Sequence, residues 1–391
     1  MVSTVTPTAS IHWVGAGLSS GPGIVDLADS FGKIHVWDMT PERVDALRAH
    51  LSPGAEIDFL RLDLGDELSV ARFQNRVQAG DVVVSMLPAA LHVQLARLAL
   101  EKGAHLVTSS YLSDDMRALN DLACQQGGCV INEVGLDPGL DHLFAHVLVD
   151  EARRAGVLGQ GREIDFVSYC GGVPVEKSDF TYKFSWTPLG VLTALKNEAR
   201  LIRDHEECRV AKAWQAVSEL QVDGETFEVY PNRDSIPYIR EYGLEKETNL
   251  KGFVRGTLRL EGWKAAWKDI FARVETAGPE ELKELSDKLW RDYAYAAGEQ
   301  DRVVLHVALR AMGKDGQDWN ASLTLDEVGS GWKSAMASTV SLTVAQTVKA
   351  VLAGRMPPGV QAGLHDVAEA RRWLDNLRER GLSVRAQNVT L

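Results

Sequence analysis

Short apolar runs alternate with amphipathic stretches over roughly the first 110 residues, and few folds accept that pattern. "IHWVGAG", "KIHVWD", "DFLRLD", "DVVVSMLP" and "AHLVTSS" read as strands. Several of them lack a polar face, as strands covered on both sides do. Between them, "GPGIVDLADSF", "TPERVDALRAHL", "ELSVARFQNRV" and "LHVQLARLALEKG" read as helices, the second with Thr40 as N-cap and Pro41 as its first residue. Such repetition calls for an α/β fold built on a doubly wound parallel sheet.

The first strand runs into "VGAGLSSG", which opens a helix. Gly15 permits the tight turn, Gly17 lets the backbone approach a pyrophosphate, and the helix end offers free N–H groups. Ser20, at the third position, is small enough to keep helix and strand close. Asp38 ends the second strand about 20 residues on, where an acid binds the ribose hydroxyls of NAD and repels the 2′-phosphate of NADP. NAD is therefore the expected cofactor, with NADP as the alternative. The competing reading is a phosphate-free turn in which Asp38 only caps "TPERV". Asp63 and Leu64 after the third strand, and Leu87 after the fourth, would flank the adenine and nicotinamide ends.

Beyond residue 142 the pattern changes. "LFAHVLVDEARRAG" is an amphipathic helix, and later strands alternate. In "FVRGTLRLE", Arg255, Thr257, Arg259 and Glu261 share one face, while Val254, Leu258 and Leu260 share the other. This predicts an antiparallel sheet with one packed and one polar face. "PEELKELSDKLWRDYAYA" is a helical insertion, and the chain is helical again from Ser334. A length of 391 residues exceeds one ordinary core, so two domains with shared chain crossings are expected.

A net charge of −12 argues against nucleic acid or an anionic membrane as partner. No apolar run reaches the ~18 residues of a membrane helix, and "MVSTVTPTAS" lacks the features of a signal peptide. Four cysteines, Cys124, Cys129, Cys170 and Cys208, are too few for a disulfide scaffold and read as reduced thiols of a cytoplasmic protein.

Ligands of doubly wound sheets lie beyond the C-terminal strand ends. "TSSYLSDDM" places Ser109, Ser110 and Tyr111 there, and "VINEVGLDPG" places Asp137 there. Tyr111 could donate or accept a proton; Asp137 could be a general base or hold a substrate ammonium. The bland alternatives are a half-buried surface aromatic and a turn aspartate before Pro138. Asp141 and His142 read as the cap and first turn of the next helix. Cys170, in "FVSYCGGVP", is either a weak acid near the nicotinamide or a small core residue. Arg233 lies in the polar turn "YPNRDS", and Arg259 faces the same way as Arg255 and Thr257. Converging guanidinium groups suit a small-molecule substrate with several carboxylates; a solvated sheet face is the other reading. His142 and His146 have metal-ligand spacing but no third ligand, and Cys124 and Cys129 have no partner pair, so no metal is expected.

"VVSMLPAALHV", "HLVTSSYLSDDMRALN", "VINEVGLDPGLDH", "SYCGG", "YKFSWTPLGVL", "YPNRDSIPY", "VRGTLR" and "GSGWKSAMA" follow one another over most of the chain. Together they resemble the saccharopine reductase family, the glutamate-forming saccharopine dehydrogenases of the 2-aminoadipate pathway. The resemblance implies a Rossmann domain over residues 1–138, a central α/β substrate-binding and dimerisation domain over 139–333, and C-terminal helices over 334–391 returning to the Rossmann domain. It implies a helical insertion reduced to the region near 264–300, and a homodimer. The implied reaction is hydride transfer between a nicotinamide cofactor and the secondary amine of saccharopine, yielding L-glutamate and 2-aminoadipate 6-semialdehyde in lysine metabolism.

The family's cofactor contacts map onto Gly15, Gly17, Leu18, Ser19, Ser20, Asp38, Met39, Thr40, Asp63, Leu64, Leu87, Ser109, Ser110 and Thr187. Its substrate contacts map onto Ser110, Tyr111, Asp137, Arg233, Thr257 and Arg259. Catalysis would then use Asp137 as base or ammonium partner, Tyr111 as proton relay and Cys170 as an assisting group. Fungal members carry Cys-Arg-Thr where this chain has "WDMT", which favours NAD, and the loop "CGGVPVEKSDFTYKFSW" is shorter than theirs. The rivals are a related imine-reducing enzyme, such as carboxynorspermidine dehydrogenase, and a non-catalytic NAD-sensing protein. The latter would keep Gly15, Gly17 and Asp38 but need none of Tyr111, Asp137, Arg233 and Arg259.

Overall fold

The structure, a computed structural model, describes residues 9–313 and 316–390. The chain divides into two units: one runs through Leu140 and resumes over Ala337–Leu364, and the other holds Asp141–Met336 and the chain from His365 onward.

The first unit contains β1 (Ile11–Val14), α1 (Gly21–Phe31), β2 (Lys33–Asp38), α2 (Glu42–Arg48), β3 (Glu56–Arg61), α3 (Glu67–Arg76), β4 (Val82–Ser85), α4 (His92–Leu100), β5 (His105–Thr108), α5 (Asp114–Arg117), α6 (Asn120–Gln126) and β6 (Cys129–Asn132). After α7 (Leu140–Arg154) the chain enters the second unit, made of β7 (Glu163–Pro174), α8 (Pro188–Lys196), β8 (Ala199–Arg203), β9 (Glu206–Val210), β10 (Ser218–Val222), β11 (Glu225–Pro231), α9 (Pro237–Glu241), β12 (Leu250–Leu260), α10 (Trp263–Ala266), α11 (Lys268–Thr276), α12 (Pro279–Tyr293), β13 (Gln300–Met312) and β14 (Trp319–Ser330). The helix α13 (Ala335–Leu352) leads back to β15 (Gly359–Ala362) in the first unit, and α14 (Val367–Glu379) and β16 (Val384–Gln387) finish the second.

The sheet of the first unit has seven strands in the order β15-β6-β5-β4-β1-β2-β3, all in parallel pairs. Strand order reverses between β1 and β4, so the turns after these two strands border the switch point where such sheets bind ligands. β1 and β4 are buried along their whole lengths, which is why they read as unbroken apolar runs. The helix α13 is long and apolar enough by length and composition to cross a membrane, which corrects the expectation that no stretch qualifies; most of it is buried in the fold. Its hydroxyls make that burial feasible. Ser341, Thr343 and Thr347 donate to the carbonyls of Ala337, Thr339 and Thr343, one turn back.

The second unit is built on a nine-stranded mixed sheet, ordered β10-β11-β12-β7-β13-β14-β16, with β8 on β12 and β9 on β8. β12 and β7 are parallel; the other pairs are antiparallel. The helical insertion is present as α10, α11 and α12. It shares an aromatic core with α8 and the segment before it: Tyr182, Phe184, Leu192, Trp263, Trp267 and Phe271 pack together.

Two expectations need correction. β12 alternates as its sequence suggests, with Val254, Leu258 and Leu260 in one core. Its other face is not solvated, because Arg255 and Arg259 are buried as well. The C-terminal helices do not all return to the Rossmann unit. α14 buries Trp373, Leu374 and Leu377, and its Arg371 holds Asp150 and Glu151 of α7. β16 pairs with β14, so this last segment belongs to the second unit.

Candidate active site

In the first unit the glycine turn is fixed by its own backbone. Gly15 has φ +96°, and a Cβ there would come within 2.8 Å of the Met86 carbonyl oxygen. Only glycine meets both conditions. The Gly15 carbonyl accepts from the Ser20 hydroxyl at 2.9 Å and the Trp13 indole at 3.1 Å. Gly17 is different: nothing lies within 4 Å of where its Cβ would be. The protein's own packing does not require glycine there, and the exposed backbone is open to approach. Ser20 is buried against the strand-end turn, as expected, and Gly23 adds a second point of close helix packing. A Cβ at Gly23 would meet the Ser341 carbonyl oxygen at 2.4 Å and the Trp13 ring at 2.8 Å.

Asp38 ties two turns together. One carboxylate oxygen accepts from Ala16 N at 2.6 Å, the other from Met39 N at 2.6 Å. Each oxygen keeps a second lone pair for a ligand hydroxyl. A cavity of about 410 Å³ opens beside it, lined by Val14, Trp37, Asp63, Leu64, Leu87 and Gln94, among others. It gathers the expected rim residues Asp38, Met39, Asp63, Leu64 and Leu87. Trp37 and Gln94 were not foreseen, because an internal strand residue and a helix residue carry no rim signal. Leu18 and Met39 are half-exposed hydrophobics, while Thr40 is exposed and Ser19 half-buried.

The rim after β5 and β6 brings Tyr111 and Asp137 together. The Tyr111 phenol donates to Asp137 Oδ1 at 3.0 Å, and both residues are half-buried. The loop that presents Asp137 is folded on itself. Gly135 N donates to the Pro138 carbonyl at 2.8 Å, and a Cβ on Gly139 would come within 2.2 Å of the Gly135 carbonyl oxygen. Glu133, buried and with φ +59°, locks this loop to its neighbour: its N–H donates to the Ser110 carbonyl at 3.1 Å, and its carboxylate accepts from Leu112 N at 2.9 Å. A non-glycine residue at that φ is strained, and such strain gathers at functional loops. Ser110 also meets His92, with Nε2 at 2.7 Å; burial pushes that imidazole down to about 4. Neither Glu133 nor His92 was anticipated, since a lone buried acid or histidine has no spacing signature.

In the second unit, Cys170 and Thr257 are register partners on the parallel pair β7–β12. Cys170 is buried and Thr257 half-buried. The two buried arginines of β12 differ. Arg255 donates through Nε and Nη2 to Asp141 Oδ2, the former at 3.2 Å, beneath the Tyr238 ring. Asp141 is 1% exposed and is thus the core counter-ion of Arg255, more than a helix cap. His142 likewise serves the interior, at 2.8 Å from the Tyr242 hydroxyl and stacked on Tyr238.

Arg259 is 5% exposed, and no carboxylate pairs with it among the described residues. Its guanidinium lies 4.7 Å from the Tyr182 ring centre and 5.6 Å from those of Tyr230 and Trp263, and its Nε has no partner. Glu228, directly across from it in the β11–β12 register, is occupied by Gly262 N and Lys264 N. Burial pushes the Tyr230 phenol up, against the opposing pull of the Arg259 charge. The three rings and the Leu258 carbonyl, which accepts from Nη1 at 3.0 Å, are what offset the burial of this charge. Tyr182, Tyr230 and Trp263 were not foreseen as its surround. Arg233 is exposed, with φ +58°. Thr187 is exposed just before α8. Among the described residues no cluster of metal-ligating side chains forms.

Residues 11–131 match the saccharopine dehydrogenase NADP binding domain, and residues 135–382 match the saccharopine dehydrogenase C-terminal domain. The chain is 35% identical over 309 residues to the NADP+, L-glutamate-forming saccharopine dehydrogenase of Pyricularia oryzae, covering 76% of this chain and 66% of that one. It is 38% identical over 211 residues to the Saccharomyces cerevisiae enzyme of that name, covering 52% of this chain and 45% of the relative. It thus spans less than two thirds of these curated relatives. The solved apo saccharopine dehydrogenase (L-Glu forming) of Saccharomyces cerevisiae superposes with a TM-score of 0.78 at 25% identity, covering 97% of this chain and 100% of that one. The homospermidine synthase of Legionella pneumophila shares the fold, with a TM-score of 0.64 at 12% identity over 98% of this chain and 92% of that one. The first unit is a nicotinamide-dinucleotide-binding domain, and the chain belongs to the saccharopine dehydrogenase family.

Proposed function

We propose that the chain is an L-glutamate-forming saccharopine dehydrogenase: saccharopine, NAD+ and water give L-glutamate, 2-aminoadipate 6-semialdehyde, NADH and a proton, reversibly. The observation that carries this reading is the Tyr111–Asp137 hydrogen bond, a proton-handling pair on the rim of a dinucleotide-binding sheet. The cofactor, when bound, supplies the hydride acceptor. Gly15 and Gly17 would hold its pyrophosphate and Asp38 its ribose hydroxyls; Ser109 and Thr187 would complete the contacts, and Ser110 would join them through its main chain, leaving its hydroxyl to the substrate. Oxidation of the secondary amine yields a substrate imine; water adds, and the carbinolamine collapses to the two products.

Each proton transfer needs a positioned group. Asp137 accepts a proton from the substrate nitrogen or the attacking water, and Tyr111 passes it on; Cys170 assists. Arg259 takes a substrate carboxylate, and Arg233 and Thr257 take further polar groups of the same molecule. NAD is preferred to NADP. A 2′-phosphate carries about −1.5 to −2 charges, and set against Asp38 it meets like-charge repulsion of several kcal/mol. A homodimer and a cytoplasmic location accompany this reading.

The test is dinucleotide reduction on mixing the protein with saccharopine, with NAD against NADP and with other secondary-amine amino acids as controls. No reduction from saccharopine with either dinucleotide would sink the proposal. Faster turnover of another secondary amine would move the substrate assignment to that compound.

A further inference from the structure

His92 opens α4 and is buried between two serines. Its Nδ1 lies 2.7 Å from Ser85 Oγ, and its Nε2 lies 2.7 Å from Ser110 Oγ. Ser85 ends β4 and is fully buried, so the chain of hydroxyls stops there; Ser110 sits half-buried in the loop after β5, beside Tyr111. A neutral imidazole donates from one nitrogen and accepts at the other. Thr108 favours one of the two. Its Oγ1 accepts the Ser110 N–H at 3.3 Å and lies 3.5 Å from Nε2, which leaves its own proton able to point at that nitrogen. With two hydroxyls facing Nε2 and one facing Nδ1, the geometry suits a ring proton on Nδ1, donated to Ser85, and an Nε2 that accepts. Ser110 then donates inward and turns its lone pairs outward.

We propose that His92 is a positioning residue: by accepting the Ser110 proton it makes Ser110 a hydrogen-bond acceptor for an N–H of the bound substrate amine. The geometry that favours this role is the position of Ser110, half-buried beside Tyr111 at the open end of the hydrogen-bond chain whose other end, Ser85, is buried. The kinetic part of its test rests on the activity proposed above; the spectroscopic part does not.

In full-length protein labelled with 15N-histidine, the His92 resonances are assigned by their loss in His92→Gln. Nδ1 should carry the proton and Nε2 should be unprotonated, and Ser110→Ala should shift Nε2 while leaving the fold unchanged. A protonated Nε2 overturns the proposal. In kinetics, His92→Leu and His92→Gln should each lower kcat/KM for saccharopine by about tenfold or more, chiefly through KM, the loss of one hydrogen bond. NADH affinity should stay within about twofold. In the Ser110→Ala background the same substitutions should cost under about threefold, because the group they position is gone.

Equal costs in both backgrounds would overturn the assignment and leave His92 with a structural role only. A tenfold change in NADH affinity would overturn the choice of the substrate amine. If His92→Leu fails to fold, His92→Gln and the spectrum decide. Wild-type protein that leaves saccharopine untouched would refute the activity and not the tautomer.

Discussion

Arg255 and Arg259 lie four positions apart on one strand, on the same face, both buried. Replacing each with methionine should nevertheless give opposite results. Arg255→Met strands Asp141, whose side chain is 1% exposed, without its counter-ion. Breaking a buried pair from one side costs about 3–5 kcal/mol. At about 2–4 °C per kcal/mol for a unit of this size, the melting temperature should fall by about 6–20 °C. Arg259→Met strands no carboxylate. It loses cation–π contacts worth about 0.5–2 kcal/mol each, but it also removes a desolvated charge, so stability should move by no more than about 1 kcal/mol. Its cost falls on the substrate. Truncating a buried charged partner removes about 2–5 kcal/mol, or roughly thirtyfold to several-thousandfold in kcat/KM for saccharopine. Calorimetry on the two variants, with steady-state kinetics on Arg259→Met, makes the comparison. Equal loss of stability in both, or unchanged saccharopine kinetics in Arg259→Met, would refute the reasoning.

Asp137→Asn should depress turnover by about 10²–10⁴-fold and leave dinucleotide affinity unchanged, read by stopped-flow and fluorescence titration. Asp38→Ser should raise NADP affinity relative to NAD by an order of magnitude or more, about 1.4 kcal/mol at the least, measured as the ratio of kcat/KM values. Gly17→Ala should melt like the wild type yet bind dinucleotide poorly. Gly23→Ala, which drives a methyl into the Ser341 carbonyl, should destabilise by about 1–3 kcal/mol. Stability should also fall on acidification. Burial pushes His92 down to about 4 and His146 to about 3. The unfolded chain therefore takes up protons below about pH 6.5 that the folded chain refuses, at up to about 1.4 kcal/mol per pH unit per histidine. Urea midpoints at pH 7.5 and 5.0 measure the loss, and His146→Phe should shrink it.

The parallel sheet was legible because β1 and β4 are buried on both faces, so their sequences run apolar without a break. The glycine turn and Asp38 were legible because the positive φ at Gly15 and the spacing to the end of β2 are written in a short stretch of chain. What escaped depends on distant partners. The period of β12 was clear, but the burial of Arg255 depends on Asp141, which lies far back in the chain. His92 reads as one more polar residue of an amphipathic helix until the serines on either side of it are placed. The hairpins β8–β9 and β10–β11 are short and largely polar outside, and β15 has only four residues, too few for a periodic signal.

The lateness of β15 has a consequence for synthesis. Its partner β6 is complete early, yet Asn132 of β6 and Gln361 of β15, which share a hydrogen bond, are 229 residues apart. At about 5–20 residues per second, the outer edge of β6 stays unpaired for roughly 10–50 s after its strand has left the ribosome. Gly23 waits longer still, 318 residues, for the α13 serine that its N–H donates to. The dinucleotide unit, first in sequence, is therefore finished nearly last. During that interval an apolar strand edge is open to other chains, which makes the nascent protein a substrate for chaperones in a way the folded one is not.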